Sequence, residues 1–310
     1  MKTLDGKKVL VAGGAGFLGS YICRALLQAG AQVSVLDILP REKIYNLQDI
    51  ESDVNIITGS VTDEKCVFNS VQGQNAVVDA SFPLAKCDPG PGRQYIEVGT
   101  LGVYNLLKAV LHTGANLVFS SSISVYGVQN YTPINEKHPT EPILLYGATK
   151  LAGENYCKIM QQRYGCNVVI LRYSDLYGPG LGRNGAPAAF LSKVLAKKPL
   201  LIRGGGKQIR SYLYISDAGE AVVAALKCFK QGGVFNIAGK KAISIIELAE
   251  IVRRATGVSV PIEYIFDSET DKRHYSIDGT LAEKEIGFYP RVGFEEGLSL
   301  TFEWLKGRSK

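Results

Sequence analysis

The stretch VLVAGGAGFLGSYICRALLQAG, residues 9–30, decides how the chain is read. A short apolar run stops at Ala12, and Gly13, Gly16 and Gly19 follow at three-residue intervals as a helix-period pattern opens. Each glycine has a physical reason in such a turn. Gly13 permits the tight bend, Gly16 lets the backbone approach a pyrophosphate, and Gly19 lets helix and strand pack closely, with the phosphates at the positive helix N-terminus. A strand-to-helix turn uses glycine for purely structural reasons too, so the context has to decide. It does so at Asp37, the end of the next apolar run, where a carboxylate accepts hydrogen bonds from both adenosine-ribose hydroxyls. The candidate dinucleotide-binding residues are therefore Gly13, Gly16, Phe17, Leu18, Gly19 and Asp37. A carboxylate at this place repels a 2′-phosphate, which favours NAD over NADP. Arg41 nearby is the residue type that accommodates such a phosphate and keeps NADP open.

Outward from this turn, runs rich in Val, Ile and Leu alternate with longer amphipathic stretches. The runs are KVLVA (8–12), VSVLD (33–37), VNIITG (54–59), AVVDA (76–80), NLVFSS (116–121) and NVVILRY (167–173). Continuous apolar strands of this kind suit a parallel sheet buried on both faces. Helical periods cover 16–29, 94–112 and 146–164. The order predicts an α/β fold, a doubly wound parallel sheet of the Rossmann type with right-handed crossovers. After residue 173 the texture changes to glycine-rich loops and shorter elements, ending in the helix-like FEEGLSLTFEWLK. The expected organisation is a cofactor domain over 1–172 that also receives 207–238, with a smaller, discontinuous α/β substrate-binding domain over 173–310.

The 310 residues carry a net charge of +6 spread without long basic runs, so nucleic acid is not expected as a partner. The opening MKTLDGKK leads straight into the first strand without a signal-type apolar region, and no apolar stretch approaches the roughly 18 residues of a membrane span. A cytoplasmic protein without membrane attachment is the expectation. Six cysteines (Cys23, Cys66, Cys87, Cys157, Cys166 and Cys228) lie scattered, without metal-ligand spacing, so no metal is expected.

A second short stretch, LYGATK (145–150), sets Tyr146 and Lys150 one helical turn apart. On a surface helix such a pair carries no particular meaning. As chemistry, an ammonium one turn away favours the phenolate of a tyrosine that is otherwise a poor base at neutral pH.

Together, the glycine spacing at 13–19, FSSSISVYG (119–127), Y-x-x-x-K (146–150), LRYSDLYGPG (171–180) and RSYLYISDAGEA (210–221) resemble the extended short-chain dehydrogenase/reductases, specifically the nucleotide-sugar epimerase/dehydratase family. The resemblance runs through nearly the whole chain. It implies that Ser122 and Tyr146 are the substrate-activating serine and catalytic tyrosine, and that Lys150 holds the nicotinamide ribose. Ser60 and Val61 would lie near the adenine. Arg210 and Arg273 would bind a substrate diphosphate, with Lys86, Tyr126 and Asp175 also on the substrate side; Tyr126 is equally compatible with an ordinary core aromatic. Five positions depart from the family pattern: Ser60 replaces an aspartate, Asp79 a histidine, Gly99 and Asp175 asparagines, and Ser211 an aspartate. Ile123 and Ser124 stand where resembling dehydratases carry an Asp-Glu pair, and neither side chain moves a proton usefully in an elimination. The resemblance thus implies an NAD-dependent nucleotide-sugar 4-epimerase acting on a UDP- or dTDP-hexose through a transient 4-keto sugar. The alternatives are a 4,6-dehydratase, a 4-ketoreductase, or a catalytically silent NAD-binding protein. It also implies a homodimer joined through the helices near 95–112 and 147–163.

Overall fold

Strand β1 (Lys8–Ala12) has the alternation of a strand covered on both faces: Val9 and Val11 pack into one hydrophobic core, Leu10 and Ala12 into another. The computed structural model to which it belongs describes residues 3–83, 92–181, 185–229, 232–265 and 274–308. The same period of two runs along β4 (Ala76–Asp79), β5 (Asn116–Ser122) and β6 (Val168–Tyr173), so each strand feeds both layers. With β2 (Gln32–Asp37), β3 (Val54–Thr58) and β10 (Gly233–Ile237) they form a seven-stranded parallel sheet in the order β3-β2-β1-β4-β5-β6-β10. The strand order reverses between β1 and β4, and a crevice at that switch point is where doubly wound sheets hold ligands.

One face of the sheet is covered by α1 (Phe17–Gln28), α7 (Ile215–Lys227) and α9 (Thr280–Ile286). The other is covered by α2 (Glu64–Val71), α4 (Val103–Thr113) and α5 (Leu145–Tyr164). The helical period read over 94–112 is broken in its middle: α3 (Gly92–Ile96) passes into a π-helical segment, Glu97–Gly102, before α4 begins. The wider turn lets two glycines close on their neighbours. A Cβ on Gly99 would collide with Thr149 Cγ2, and one on Gly102 would come within 2.6 Å of Val61 Cγ2.

A second layer system follows β6. Strands β7 (Asp175–Tyr177), β9 (Ile209–Tyr214) and β11 (Ala242–Ser244) make one small sheet, and β8 (Leu200–Arg203) pairs with β12 (Ile262–Ile265). They share a core with α6 (Gly185–Leu195), α8 (Ile245–Thr256) and α10 (Phe294–Gly307). Tyr177, Tyr212, Tyr214 and Phe294 form its aromatic centre, Tyr212 and Phe294 stacked at 5.2 Å. From β9 the chain returns through α7, which packs on α1, to β10 at the edge of the main sheet.

A buried polar network pins α5 to the sheet. Arg172 of β6 donates to both carboxylate oxygens of Glu154, through Nε at 2.8 Å and Nη2 at 2.6 Å, and the Ser121 hydroxyl donates to Glu154 at 2.7 Å. Arg172 also donates to the Tyr126 hydroxyl at 2.9 Å, which donates in turn to Asn236 of β10 at 2.6 Å. Burial alone would push the Glu154 carboxyl up, but the hydrogen bonds and charge of Arg172 outweigh it and hold it below its ordinary 4.5. Among the described residues no helix is long and apolar enough to cross a membrane, and no cluster of side chains could hold a metal ion.

Glu154→Gln leaves the Arg172 charge buried without its counter-ion, and urea denaturation should show a loss of about 3–5 kcal/mol. Because the native carboxyl is the more acidic one, its contribution is present above pH 4.5 and is lost as the pH falls through the lowered value. The acid limb of the stability curve should therefore be shallower in Glu154→Gln than in the wild type; an equal slope in both would remove this role.

Candidate active site

The turn between β1 and α1 has the shape its glycines require. Gly13 takes φ +76°, and a Cβ there would lie 2.7 Å from the Ala80 carbonyl oxygen; at Gly19 it would collide with that of Gly13. Gly16 differs, since a Cβ on it would meet only Gly13 O, at 3.2 Å. Its outer side is open, and α1 starts there with neither a side-chain cap nor an acid in the first turn. The positive helix end and its N–H groups are thus left to an anion, with Phe17 and Leu18 half-buried beside them.

Asp37 ends β2 and is fixed by the turn itself. One carboxylate oxygen accepts from the Ala15 N–H at 3.0 Å and the other from the Leu39 N–H at 3.1 Å. Asn46, which sequence reasoning missed, steadies the same turn by donating to the Ala15 carbonyl at 3.0 Å. Arg41, the candidate reader of a 2′-phosphate, is paired with Glu51 at 2.5 Å. Ser60 and Val61 follow β3: the Ser60 hydroxyl bonds Thr62 at 2.7 Å, and Val61 is buried with its carbonyl accepting from Asn105 at 2.9 Å.

Across the switch point, the C-terminal end of β5 and the first turn of α5 bring Ser122, Tyr146 and Lys150 together. Ser122 is nearly enclosed, and its hydroxyl accepts from the Ser124 N–H at 3.1 Å. Burial pushes the Tyr146 phenol above its ordinary value, hydrogen bonding to Ser122 draws it down, and Tyr95 and Asp175 push it up. Phe82, in the loop after β4, sets its ring edge-on to Tyr146 at 5.0 Å, tilted against Tyr95 at 4.8 Å, with Lys150 Nζ 4.8 Å from its centre. Neither Phe82 nor Tyr95 carried a sequence signal beyond lying near a strand end and on a helix.

The Lys150 ammonium donates to the Ser120 carbonyl of β5 at 2.8 Å. Burial draws the ammonium's pKa down, while the charge of Asp79 draws it back up. Asp79 is buried at the end of β4; one oxygen accepts from the Ser81 N–H at 2.9 Å, and the other has no hydrogen-bond partner. Burial pushes the Asp79 carboxyl above its ordinary 3.8, and the charge of Lys150 draws it back down.

Tyr126 corrects one expectation. It is fully buried, its hydroxyl is held between Arg172 and Asn236, and burial pushes it up to about 12, so it belongs to the scaffold and not to the substrate side. Asp175 is exposed and lies 3.9 Å from Arg210 Nε, whose guanidinium also rests 5.4 Å over the Tyr275 ring. Ser211 is buried and accepts from the Ile277 N–H at 3.0 Å, tying β9 to a neighbouring segment. Gly99 sits where Thr149 and Phe82 leave no room for a side chain, which accounts for the missing asparagine. Lys86 and Arg273 lie outside the described residues.

A glycine turn, a carboxylate ending the second strand and a serine, tyrosine and lysine across the switch point accord with the NAD dependent epimerase/dehydratase family, whose model matches residues 9–238. The chain belongs to that family. It is 30% identical over 311 residues to a dTDP-glucose 4,6-dehydratase of Streptomyces niveus, covering 96% of this chain and 93% of that one. Among solved structures, a Thermus thermophilus UDP-glucose 4-epimerase in complex with NAD matches at a TM-score of 0.83 and 30% identity, covering 97% of this chain and 99% of that one. A Bacillus cereus UDP-glucuronic acid 4-epimerase in complex with UDP-glucuronic acid and NAD matches at 0.87 and 28%, with the same coverage of 97% and 99%.

NAD is the cofactor of this epimerase/dehydratase chain, and the residues present fit it. Gly16 and the bare N-terminus of α1 suit the pyrophosphate, and Asp37, with each oxygen holding one backbone N–H, keeps lone pairs for the ribose hydroxyls.

Ser122→Ala removes the group that draws the Tyr146 phenol down, so the ¹³C NMR titration of labelled Tyr146 should move to higher pH. Activity that needs the phenolate is lost as the pH falls through this pKa, so the acid limb of the rate profile should move the same way. Turnover at neutral pH should drop roughly a hundredfold. An unmoved titration would separate Ser122 from the phenol.

Proposed function

We propose that this protein is an NAD-dependent nucleotide-sugar epimerase acting at C4 through a transient 4-keto sugar, with Ser122, Tyr146 and Lys150 as its catalytic residues. The observation that carries the reading is the Ser122–Tyr146 pair at the end of β5, on the crevice that the glycine turn opens for the cofactor. When bound, NAD supplies a site that takes up and returns a hydride. Tyr146 as phenolate accepts the proton of the sugar's C4 hydroxyl while the C4 hydride leaves. Ser122 holds that oxygen by a hydrogen bond, and the keto-sugar turns over. The hydride returns to the opposite face, and Tyr146 gives the proton back to the oxygen. Lys150, buried between the Phe82 and Phe119 rings and bonded to Ser120, would hold the nicotinamide ribose of the cofactor.

The two residues after Ser122 favour epimerisation over dehydration. Ile123 is buried and Ser124 is bonded to Ser122, so neither place supplies the acid and base that an elimination requires. Arg210, and by resemblance Arg273 and Lys86, would take the diphosphate of a UDP- or dTDP-hexose. A homodimer fits the exposed apolar residues Leu101, Tyr104 and Leu111 beside Tyr156 and Ile159 of α5, which give the two neighbouring helices an uncovered apolar face.

Incubation with UDP- and dTDP-hexoses in deuterated water, followed by NMR, tests the reaction. Hydride return at C4 should give the epimer with no solvent deuterium, whereas 4,6-dehydration brings deuterium into C5; deuterium at C5 would replace the proposal with a dehydratase. Sedimentation equilibrium should find a dimer that Tyr104→Glu with Ile159→Glu converts to monomer; a wild-type monomer would remove the dimer.

A further inference from the structure

Phe82 lies in the loop that leaves β4, where the cofactor turn and the catalytic helix come closest to one segment. On one side, Ala80 and Ser81 back onto the cofactor turn: a Cβ on Gly13 would come within 2.7 Å of the Ala80 carbonyl oxygen and of Ser81 Cα. Ser81 is itself fixed, since its N–H and its hydroxyl both donate to one Asp79 oxygen, at 2.9 and 2.5 Å. On the other side, the Phe82 ring reaches α5 and touches both members of the Tyr146–Lys150 pair. Its centre lies 5.0 Å from that of the Tyr146 ring, with the planes at 80°, and 4.8 Å from Lys150 Nζ. Tyr95 of α3 presses on the same ring at 4.8 Å, and a Cβ on Gly99 of the π-helical segment would come within 3.1 Å of Phe82 Cε2.

A ring wedged in this way acts differently on its two neighbours. Against Tyr146 the near-perpendicular arrangement is a favoured one for aromatic rings, because the electron-poor edge of one meets the electron-rich face of the other, and it fixes orientation as well as distance. Against Lys150 the ring serves as a partner for charge. The ammonium is buried and donates to the Ser120 carbonyl at 2.8 Å, while Phe82 at 4.8 Å and Phe119 at 5.2 Å set two π faces within cation–π range of it. An aliphatic side chain of similar volume would fill the same space and supply neither interaction.

We propose that Phe82 is a positioning residue: its ring, anchored at the cofactor turn and braced against α3, holds the Tyr146 ring in line with Ser122 and the Lys150 ammonium against its own face. In the proposed function, on which this role rests, those groups act on the sugar hydroxyl and the cofactor ribose. Phe82 acts through Tyr146, whose phenol must meet the same oxygen as Ser122 while the hydride leaves. With the bulk kept and the ring removed, the tyrosine gains freedom about Ser122. The hydrogen bond that draws the phenol down then weakens while burial, Tyr95 and Asp175 still push it up, so the phenol titrates at higher pH. A less firmly held ammonium one turn away works in the same direction.

Phe82→Leu, which keeps apolar bulk without the π face, and Phe82→Tyr, which keeps the ring, test this in the NAD-loaded protein. In Phe82→Leu the ¹³C NMR titration of labelled Tyr146 should move to higher pH, and kcat for a nucleotide hexose should fall roughly tenfold or more with KM within about threefold of the wild type. Phe82→Tyr should keep the wild-type titration and a kcat within about threefold of the wild type. In the wild type itself, the two ring currents should shift the ε-methylene protons of Lys150 upfield of those of the other lysines. An unmoved titration in Phe82→Leu, a Phe82→Tyr that loses as much as Phe82→Leu, or a loss carried by KM or NAD binding alone overturns the positioning role, and so does a Lys150 signal among the other lysines. A wild type that turns over no nucleotide hexose overturns the epimerase reading, while the Tyr146 titration and the Lys150 signal still decide the role of Phe82.

Discussion

The buried pair of Arg172 and Glu154 is the constraint on which the site depends. Both side chains are withdrawn from water, which is costly for charges unless every lone pair and proton finds a partner. Here each nitrogen of the guanidinium and each oxygen of the carboxylate has at least one: two bonds join the pair, Ser121 adds a third to the carboxylate, and Tyr126 accepts from the guanidinium. The residues involved come from β5, β6 and α5, and through Asn236 from β10. Glu154 lies one turn beyond Lys150 and two beyond Tyr146, while Ser121 precedes Ser122. A shift of α5 against the sheet would break the pair before it could separate the tyrosine from the serine. The network thus sets the position of the candidate catalytic groups without touching them.

Within that frame, electrostatics divides the site into two parts. Toward the sheet, burial pushes the Asp79 carboxyl up and the Lys150 ammonium down while each draws the other back, and aromatic rings lie over the Lys150 Nζ. Toward the cleft, the Tyr146 phenol is pushed up by burial and by Asp175, and only Ser122 acts in the other direction. The protein by itself therefore keeps the phenol protonated, and a cationic nicotinamide beside it favours the phenolate. Such an arrangement ties proton acceptance to the presence of cofactor.

Much of this was legible in the sequence, for identifiable reasons. The six apolar runs became the first six strands of the main sheet, and the central ones, β1, β4, β5 and β6, are buried on both faces, which leaves a continuous apolar signature; β3, at the sheet edge, is only partly buried. The glycine turn and the Tyr146–Lys150 spacing were legible because both are local. What was missed depends on contacts between distant segments. Phe82 acquires its place only when the loop after β4 meets α3 and α5, and Tyr126 is buried only because Arg172 and Asn236 meet its hydroxyl. Lys150 shares a helix face with Tyr146, yet its ammonium turns to Ser120, a partner thirty residues away. The π-helical segment depends on Thr149 and Val61 closing on two glycines, which no helical period reveals.

The central claim is that Tyr146 moves the proton while the sugar is oxidised on the bound cofactor. Stopped-flow mixing of NAD-loaded protein with a nucleotide hexose that it turns over, followed at the absorbance band of reduced nicotinamide, tests it most directly. The account predicts a transient of that band in the wild type, and none in Tyr146→Phe despite unchanged NAD binding. A transient of equal size and rate in Tyr146→Phe would contradict it.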